Sequence, residues 1–570
     1  MVDLRLTWLD FVIFGGQLTI SVLIGVYFGF RKKKKDQDDY LVGGKTNIYA
    51  VAASLVASNV AGATLVSIPS DIYQFGAMYL WAPVAHGIVI ICTLFVTMPV
   101  FTNLDCSSVF YYLELRFNRK VRLMASALYV PQLILFCPTV IYVPSVILTQ
   151  MTGYSTTLIA VLVCVICIGY TSLGGFNAVV WTDTLQTVLI NACLIVVLIF
   201  GFNTSGGLGA VWSEAVKGGR LDVLQFDFDF TTRDSSYIIL FGQTLIYLVA
   251  VGVGQPTLQR LKSLQTKGES RRVMALVYLG LVTINTLVVL IGLALYARYS
   301  TCDPLLDNKI QNYDQIVSYF VMDVGGHIPG LPGLFVAGIF SAGLSSLSTG
   351  LNSVAAIIYT DFLEGFDSIA KHRNVALKLI VLLCGGLCVV LTCIIPYFGG
   401  VLPAIISFLG VFGGPILGIF MLGLAFPKSN TTGTLVGGGA AFVFVTWLSI
   451  GHYYYKNKGW IRDITKPISI EECDSISNLT AKVETSFVPH EDVFILYKIS
   501  YWYYTSISFL ATVCVGFVIS LLTRKKSDMV SPELISPWFR FLLPEDKKNR
   551  KSHRYSTIIK SSDIKLQTLQ

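Results

Sequence analysis

The sequence predicts an all-α polytopic membrane protein with about thirteen transmembrane helices, and two observations lead to this fold class. Of the 570 residues, 54% are hydrophobic and only 13% are charged, whereas soluble domains carry roughly 25% charged residues. The hydrophobic residues also form long runs between Trp8 and Leu522. A helix needs about 20 apolar residues to cross the hydrocarbon core, and the runs have about this length. A lipid bilayer is therefore the expected environment. Soluble enzymes, secreted disulfide scaffolds and nucleic-acid-binding proteins are excluded.

Each apolar run is predicted to be one span. In chain order the spans cover residues 8–30, 49–74, 80–103, 123–148, 156–177, 184–203, 237–258, 273–297, 331–360, 377–397, 404–426, 433–451 and 499–522. Polar connectors separate them. The polar, basic and hydroxyl-rich tail from residue 523 is expected to lack regular structure, and to accept phosphate or bind regulators.

The distribution of basic residues predicts the orientation. An odd number of spans places the termini on opposite sides, and with the N-terminus outside, 30 of the 42 Lys and Arg residues lie in cytoplasmic segments. Because Lys and Arg favour cytoplasmic loops, we predict an outer N-terminus and an inner C-terminus. The glycosylation sequons at Asn203 and Asn478 then lie outside, and the sequon at Asn430 lies inside. Cys302 and Cys473 also lie outside and are candidates for a disulfide.

Spans two and seven are predicted to be broken. Small and hydroxyl-bearing residues crowd positions 53–64 of span two, and two glycines and a proline interrupt span seven at 251–256. Unwound backbone survives in a bilayer only where it is buried in protein or lines a cavity. Close packing of small residues and a simple kink are the alternative interpretations. Because the two spans lie five apart, spans two to six and seven to eleven are interpreted as inverted repeats with a site between them.

Span nine carries a stripe of small and oxygen-bearing residues. Positions 342, 345, 346, 349, 352 and 353 recur at helical spacing and share one face. Sodium is a hard cation that prefers oxygen ligands. The stripe is therefore a candidate sodium-binding surface, with packing against a neighbouring helix as the alternative.

Two other polar features are interpreted as structural. The glycine-containing segment 174–183 is predicted to be a cytoplasmic loop with a sharp turn, in which Thr182 or Asp183 caps span six. Asp71 lies near the outer end of span two, where we expect solvent to reach it.

Five motifs occur in order along the chain: IPSDIYQFG at 68–76, YLELRF at 112–117, GGFNAVVWTD at 174–183, GLPGLF at 330–335 and the serine-rich stripe at 341–353. With them the chain resembles the sodium/solute symporter family over nearly its whole length. It is most similar to the branch of sodium-dependent multivitamin, sodium-coupled monocarboxylate and sodium/iodide transporters. Relatives often have Glu-x-Tyr-Arg where this chain has residues 71–74, so a basic residue of the outer vestibule is missing here.

The resemblance implies a LeuT-like fold of two inverted five-helix repeats, with one peripheral helix before them and two after, and alternating access driven by sodium. The implied units are an outer end, first helix and basic inner loop at 1–48, a first repeat at 49–203, an extracellular loop at 204–236, a second repeat at 237–426, peripheral helices at 427–522 with an extracellular loop at 452–498, and a cytoplasmic tail at 523–570.

The resemblance also implies a sodium site built from both repeats. Its ligands would be the backbone carbonyls of Ala57, Val60 and Ala342 and the hydroxyls of Ser345 and Ser346. Thr349 and Asn352 resemble further polar positions that bind sodium in the iodide branch. Substrate is expected beside the breaks, where the candidate polar contacts are Thr64, Gln243, Tyr247 and Gln255, with hydrogen bonding between helices as the alternative.

The resulting prediction is a plasma-membrane symporter that imports a small organic anion together with sodium. The anion would be a monocarboxylate or a vitamin such as biotin or pantothenate. Sodium-coupled transport of iodide, sugar or choline, and a sodium-gated solute sensor, are the alternatives. An enzyme is not predicted, because the sequence shows no nucleophile–base pair, no phosphate-binding loop and no metal-ligand cluster.

Overall fold

The computed structural model describes residues 6–31, 46–104, 108–226, 229–395, 401–473, 493–524 and 530–543. In these ranges the chain is helical and contains no β-strand. The α-helices are α1 Trp8–Arg31, α2 Ile48–Asn59, α3 Gly62–Phe75, α4 Ala82–Cys92, α5 Met98–Phe101, α6 Tyr111–Arg116, α7 Arg119–Thr152, α8 Thr156–Thr204, α9 Leu208–Lys217, α10 Ser236–Tyr247, α11 Gln255–Lys262, α12 Lys267–Arg298, α13 Ile316–Gly325, α14 Leu331–Ile357, α15 Asp367–Ala370, α16 Arg373–Thr392, α17 Val401–Phe408, α18 Gly414–Ala425, α19 Thr431–Asn457 and α20 Tyr504–Leu522. Four π-helical stretches lie at Thr93–Thr97, Leu248–Gly252, Ile358–Leu363 and Leu409–Gly413. Short 3-10 helices lie at Met78–Trp81, Tyr313–Gln315, Ile495–Lys498, Tyr501–Tyr503, Pro532–Leu534 and Pro537–Leu542.

The membrane-spanning helices surround α14. Within the described ranges, ten helices are long and apolar enough to cross a bilayer, and two bent pairs raise the number to twelve. The most apolar stretch of α14 is 94% buried, against 17% for α1, so α14 lies at the centre and α1 at the periphery. At 1.5 Å per residue the 49 residues of α8 would extend about 74 Å, more than twice the hydrocarbon core. The predicted count of thirteen treats α8 as two spans.

The predicted breaks in spans two and seven are confirmed. α2 and α3 meet at 53°, and the helical segment from α10 to Gly252 meets α11 at 45°. In the first break Val60 and Ala61 take extended conformations. In the second, Gly254 is extended and a proline occupies the first turn of α11, where its missing N–H costs no hydrogen bond.

The predicted loop at 174–183 is wrong. This segment lies inside α8, where Gly175 alone has non-helical dihedrals (φ 64°, ψ −156°). A backbone of this kind is open to glycine because it has no Cβ, so a single residue makes the kink. Asp183 is fully buried, two turns into the helix that follows, and does not cap it.

The tail is ordered over residues 530–543, where the prediction of no regular structure is wrong. Leu534 and Ser536 are buried. The Tyr112 hydroxyl donates to the Leu534 carbonyl at 2.9 Å, and the Ser536 N–H donates to the Leu424 carbonyl at 3.0 Å. Eight of the fourteen residues in this stretch are apolar, and Leu534, Ile535 and Leu543 are buried, which the average composition of the whole tail does not reveal.

Cys302 and Cys473 form a disulfide, with their Cα atoms 5.1 Å apart. It joins the segment after α12 to the segment after α19, across a sequence separation of 171 residues. Both segments lie on the predicted extracellular side.

Candidate functional site

The first break faces the serine stripe of α14. The Ser345 hydroxyl donates to the Ala57 carbonyl at 2.7 Å and lies 3.2 Å from the Ala342 carbonyl. The Ser346 hydroxyl is buried and has no hydrogen-bond partner among the described residues. Val60 is extended at the break, so its carbonyl leaves the regular helical ladder. The structure therefore brings three of the five predicted ligands together as neutral oxygens, the Ser345 hydroxyl and the carbonyls of Ala57 and Ala342, which is the chemistry that suits a sodium ion.

Thr349 and Asn352, the two further candidates for sodium ligands, differ in their hydrogen bonding. Thr349 Oγ1 accepts a hydrogen bond from Nη2 of Arg260 at 2.7 Å and lies 3.2 Å from the Ser58 hydroxyl. Thr349 thus belongs to an arginine-centred network. Asn352 is buried, and its side-chain oxygen lacks a partner in the described part of the chain, so of the two it has the freer ligand atom.

A buried ion pair that the sequence pattern does not predict lies beside the stripe. Nη2 of Arg260 lies 2.9 Å from Oδ2 of Asp183, and the two side chains are 2% and 0% exposed. Arg260 also donates to the hydroxyls of Ser54 and Ser58. With Thr349, the pair connects α2, α8, α11 and α14. The sequence shows Asp183 and Arg260 each next to an apolar run, but it does not show that the two side chains contact each other.

A cavity of about 190 Å³ opens next to the serine stripe. Three predicted substrate contacts, Thr64, Gln243 and Tyr247, line it, and so does Ser346. Gln255 does not, because its side-chain oxygen accepts a hydrogen bond from the Val109 N–H at 2.8 Å. We therefore withdraw Gln255 from the candidate contacts.

Gln132 is a cavity residue outside the predicted substrate contacts. Its side chain is 3% exposed and lines the cavity, and Oε1 has no hydrogen-bond partner in the described ranges. A polar side chain in the middle of apolar span four is a signal that could have found it.

The N-terminus of α3 points a partial positive charge at the cavity. Ala61, Ala63 and Thr64 line the cavity, and no side chain caps this helix end. The first N–H groups of a helix lack partners within the helix and attract anions. Among the described residues that line the cavity there is no Lys or Arg, so this helix end contributes positive potential to the cavity wall.

Asp71 is buried rather than open to solvent. Arg233, from the loop before α10, binds Oδ1 of Asp71 and lies 2.5 Å from Asp234. Its guanidinium stacks on the Phe75 ring, 3.6 Å from the centroid. Arg233 thus supplies a basic group on the outer side, where the motif at 71–74 has lost one. The pairing joins residues 162 apart in the sequence.

The sequons differ in accessibility. Asn203 is exposed near the end of α8. Asn430 caps α19, accepting a hydrogen bond from the Gly433 N–H at 2.9 Å, and is buried. Asn478 lies outside the described residues.

Comparison with known proteins decides the family. The chain matches the model of the Sodium:solute symporter family over residues 40–440. The chain belongs to this family. It is a sodium-coupled solute symporter, with sodium as the co-transported ion, and the prediction of a transporter rather than an enzyme is confirmed.

The symporter is similar to curated transporters over most of its length. It is 35% identical to Sodium-coupled monocarboxylate transporter 2 of Bos taurus, over 93% of this chain and 86% of the relative. It is 33% identical to Sodium-coupled monocarboxylate transporter 1 of Homo sapiens, over 95% and 92%. A Putative sodium-dependent multivitamin transporter of Drosophila melanogaster is 32% identical, over 90% and 86%.

Solved structures confirm the LeuT-like fold of the symporter. A Na⁺-coupled sialic acid symporter in a substrate-bound outward-open state matches with a TM-score of 0.72 and 21% identity, over 90% of this chain and 98% of that one. Mhp1, a nucleobase-cation-symport-1 family transporter, matches with a TM-score of 0.51 and 12% identity, over 86% and 94%.

Proposed function

We propose that this symporter imports a small monocarboxylate with sodium across the plasma membrane. The observation that carries the substrate class is the uncapped N-terminus of α3, which opens into the cavity beside Thr64. A carboxylate there would accept hydrogen bonds from the N–H groups of Gly62 and Ala63, since the Thr64 N–H already donates to the Ala61 carbonyl, and it would interact favourably with the helix dipole. The names of the monocarboxylate transporters that share 33–35% of the sequence support the same substrate.

The size of the cavity favours monocarboxylates over larger vitamins. At about 190 Å³ it lies below the about 300–1,000 Å³ typical of sites for drug-sized ligands. Lactate or pyruvate fits this space more readily than biotin or pantothenate, whose long side chains would need a larger cavity. The multivitamin relative keeps vitamins as the second candidate.

Sodium and substrate are proposed to stabilise the same state. Ser346 lines the substrate cavity and belongs to the proposed sodium ligands, with Ala57, Val60, Ala342 and Ser345. An ion there would tie the break in span two to α14 and fix the N-terminus of α3, to which the carboxylate binds. By linkage each ligand then raises the affinity for the other by the same factor.

Tracer uptake with simultaneous current recording tests the substrate. Cells expressing the protein are offered lactate, pyruvate, biotin, pantothenate, iodide, glucose and choline, each with sodium and with an impermeant replacement. We expect lactate or pyruvate to accumulate only when sodium is present. An inward current accompanies uptake if more than one sodium ion enters with each monovalent anion, and no current accompanies uptake if one sodium ion enters with each. Accumulation of biotin alone would favour the vitamin substrate, and current without accumulation of any solute would favour a sensor.

Glycan mapping tests the proposed orientation, with the N-terminus outside and the C-terminus inside. We expect a glycan on Asn203 or Asn478 and none on Asn430, because only the first two face the extracellular side in this topology. The measurement is mass spectrometry before and after enzymatic deglycosylation, with Asn203→Gln and Asn478→Gln variants as controls. A glycan on Asn430 would overturn the orientation.

A further inference from the structure

A second cavity of about 410 Å³, the outer vestibule, adjoins the substrate cavity, and Leu402 lines both. Helix α3 contributes Ser67, Ser70, Asp71 and Gln74 to its wall. Spacings of three and four residues place these side chains on one helical face. Helix α3 therefore presents four polar side chains over two turns to the vestibule, followed by the Phe75 ring at the end of the helix.

The vestibule contains one carboxylate more than it has basic groups. Three carboxylates, Asp71, Asp314 and Asp463, and two basic groups, Arg233 and Lys456, line it. Arg233 pairs with Asp71, and Lys456 lies 2.8 Å from Asp463. Asp314 has neither an ion pair nor a hydrogen bond from its side chain to any described residue. The vestibule thus has a net negative charge, and Asp314 is the carboxylate in its wall that has no basic partner among the described residues.

Asp314 is fixed beside the polar face of α3. The Ser70 hydroxyl donates to the carbonyl of the preceding Tyr313 at 2.8 Å, which anchors the 3-10 turn that carries Asp314. Burial raises the pKa of Asp314 above its usual range, and the nearby charge of Asp71 raises it further. A bound cation would offset both effects.

Ser67 provides a second unsatisfied oxygen in the same cavity. It is 4% exposed, and its hydroxyl has no hydrogen-bond partner in the described part of the chain. A buried hydroxyl without a partner is costly to keep. Ser67 lies one turn before Asp71. Arg233 binds Oδ1 of Asp71, so Oδ2 of Asp71 is not used in this ion pair. The wall of the vestibule therefore contains the Ser67 hydroxyl, the second carboxylate oxygen of Asp71 and the carboxylate of Asp314.

We propose that the outer vestibule binds a sodium ion between the Asp314 carboxylate and the Ser67 hydroxyl. This site is separate from the proposed ligands at Ala57 and Ser345. One free carboxylate with neutral oxygens suits a monovalent hard cation, since calcium sites in proteins use more carboxylates. A substrate anion is disfavoured there, because both basic groups are already paired. The site raises the sodium concentration at the mouth of the substrate cavity.

Equilibrium binding of radiolabelled sodium to the purified full-length protein, without substrate, tests this site. We expect Asp314→Asn to lower the bound sodium by about one ion per chain. Ser67→Ala keeps the carboxylate and should weaken binding at this site about tenfold. Ser345→Ala should remove a different ion, so that combining Ser345→Ala with Asp314→Asn lowers the binding further than either change alone.

The matched control is Asp222→Asn, which neutralises an outer-loop carboxylate that is 66% exposed and does not line the vestibule. We expect it to bind sodium like the unmodified protein. Unchanged binding in both Asp314→Asn and Ser67→Ala would refute the vestibule site, even if Ser345→Ala still lost its ion. Unchanged binding in Ser345→Ala alone would count against the ligand set at the break and leave the vestibule site standing. Should Asp314→Asn fail to fold, Ser67→Ala decides.

Discussion

Replacing Ser345 and Ser346 together by alanine is expected to abolish sodium-driven uptake while the protein still reaches the cell surface. The Ser345 hydroxyl bridges the Ala57 and Ala342 carbonyls, and the buried Ser346 hydroxyl has no partner among the described residues. The double change removes both hydroxyl ligands and leaves the carbonyls. If losing each ligand weakens sodium about tenfold or more, the two losses together reduce uptake to background at ordinary sodium concentrations.

Uptake as a function of external sodium, with surface labelling, measures this effect. Ser341→Ala is the matched control, since Ser341 is also a buried serine of α14 without a hydrogen-bond partner in the described ranges. It is not one of the positions on the candidate sodium-binding face, and the variant should transport normally. Normal uptake at unchanged sodium affinity in the double variant would refute the proposed sodium ligands.

The broken spans could be predicted because their causes are local. Two glycines and Pro256 within residues 251–256 make a continuous helix unfavourable whatever surrounds them. The stripe on α14 was visible for a similar reason, since helical spacing alone places Ser345 and Ser346 on one face. Backbone chemistry and periodicity act over a few residues, which is the range that a single sequence reveals.

The features that could not be predicted depend on contacts between segments that are distant in the sequence. Arg260 and Asp183 lie 77 residues apart, and Arg233 and Asp71 lie 162 apart. A charged residue beside an apolar run is predicted to lie in a loop, unless the oppositely charged residue that pairs with it inside the membrane is known. The loop predicted at 174–183 failed for the same reason, because the partner that stabilises Asp183 inside a helix comes from α11.

The predicted substrate contacts include residues that lie in the cavity wall and one that does not. Thr64, Gln243 and Tyr247 are polar and lie near the breaks, which predicts that they contact substrate, and all three line the cavity. Gln255 met the same criteria, yet its side chain turns to the Val109 N–H. The direction of a side chain depends on which unsatisfied backbone group lies nearest, and that is a property of the packed structure.

Removing Arg260 is expected to be the most destabilising single change considered. Arg260→Ala leaves the fully buried carboxylate of Asp183 without its counter-charge, and a broken buried pair costs about 3–5 kcal/mol. The thermal unfolding of the purified protein should shift to clearly lower temperature, and uptake should be lost. Arg298→Ala is the control, because Arg298 pairs with Asp323 while 41% exposed, and exposed pairs contribute about 0–1 kcal/mol.

The double variant Asp183→Asn with Arg260→Gln separates the role of the pair in stability from its role in transport. It removes both charges, so no uncompensated charge remains buried and the unfolding temperature should recover most of the loss seen in Arg260→Ala. Uptake should stay low, because the guanidinium that joins Ser54 and Ser58 of α2 to Thr349 of α14 is gone. On the predicted cytoplasmic side these contacts hold the inner half of span two against its neighbours, and we expect alternating access to require that they form and break. Full uptake in the stabilised double variant would show that the pair serves stability alone.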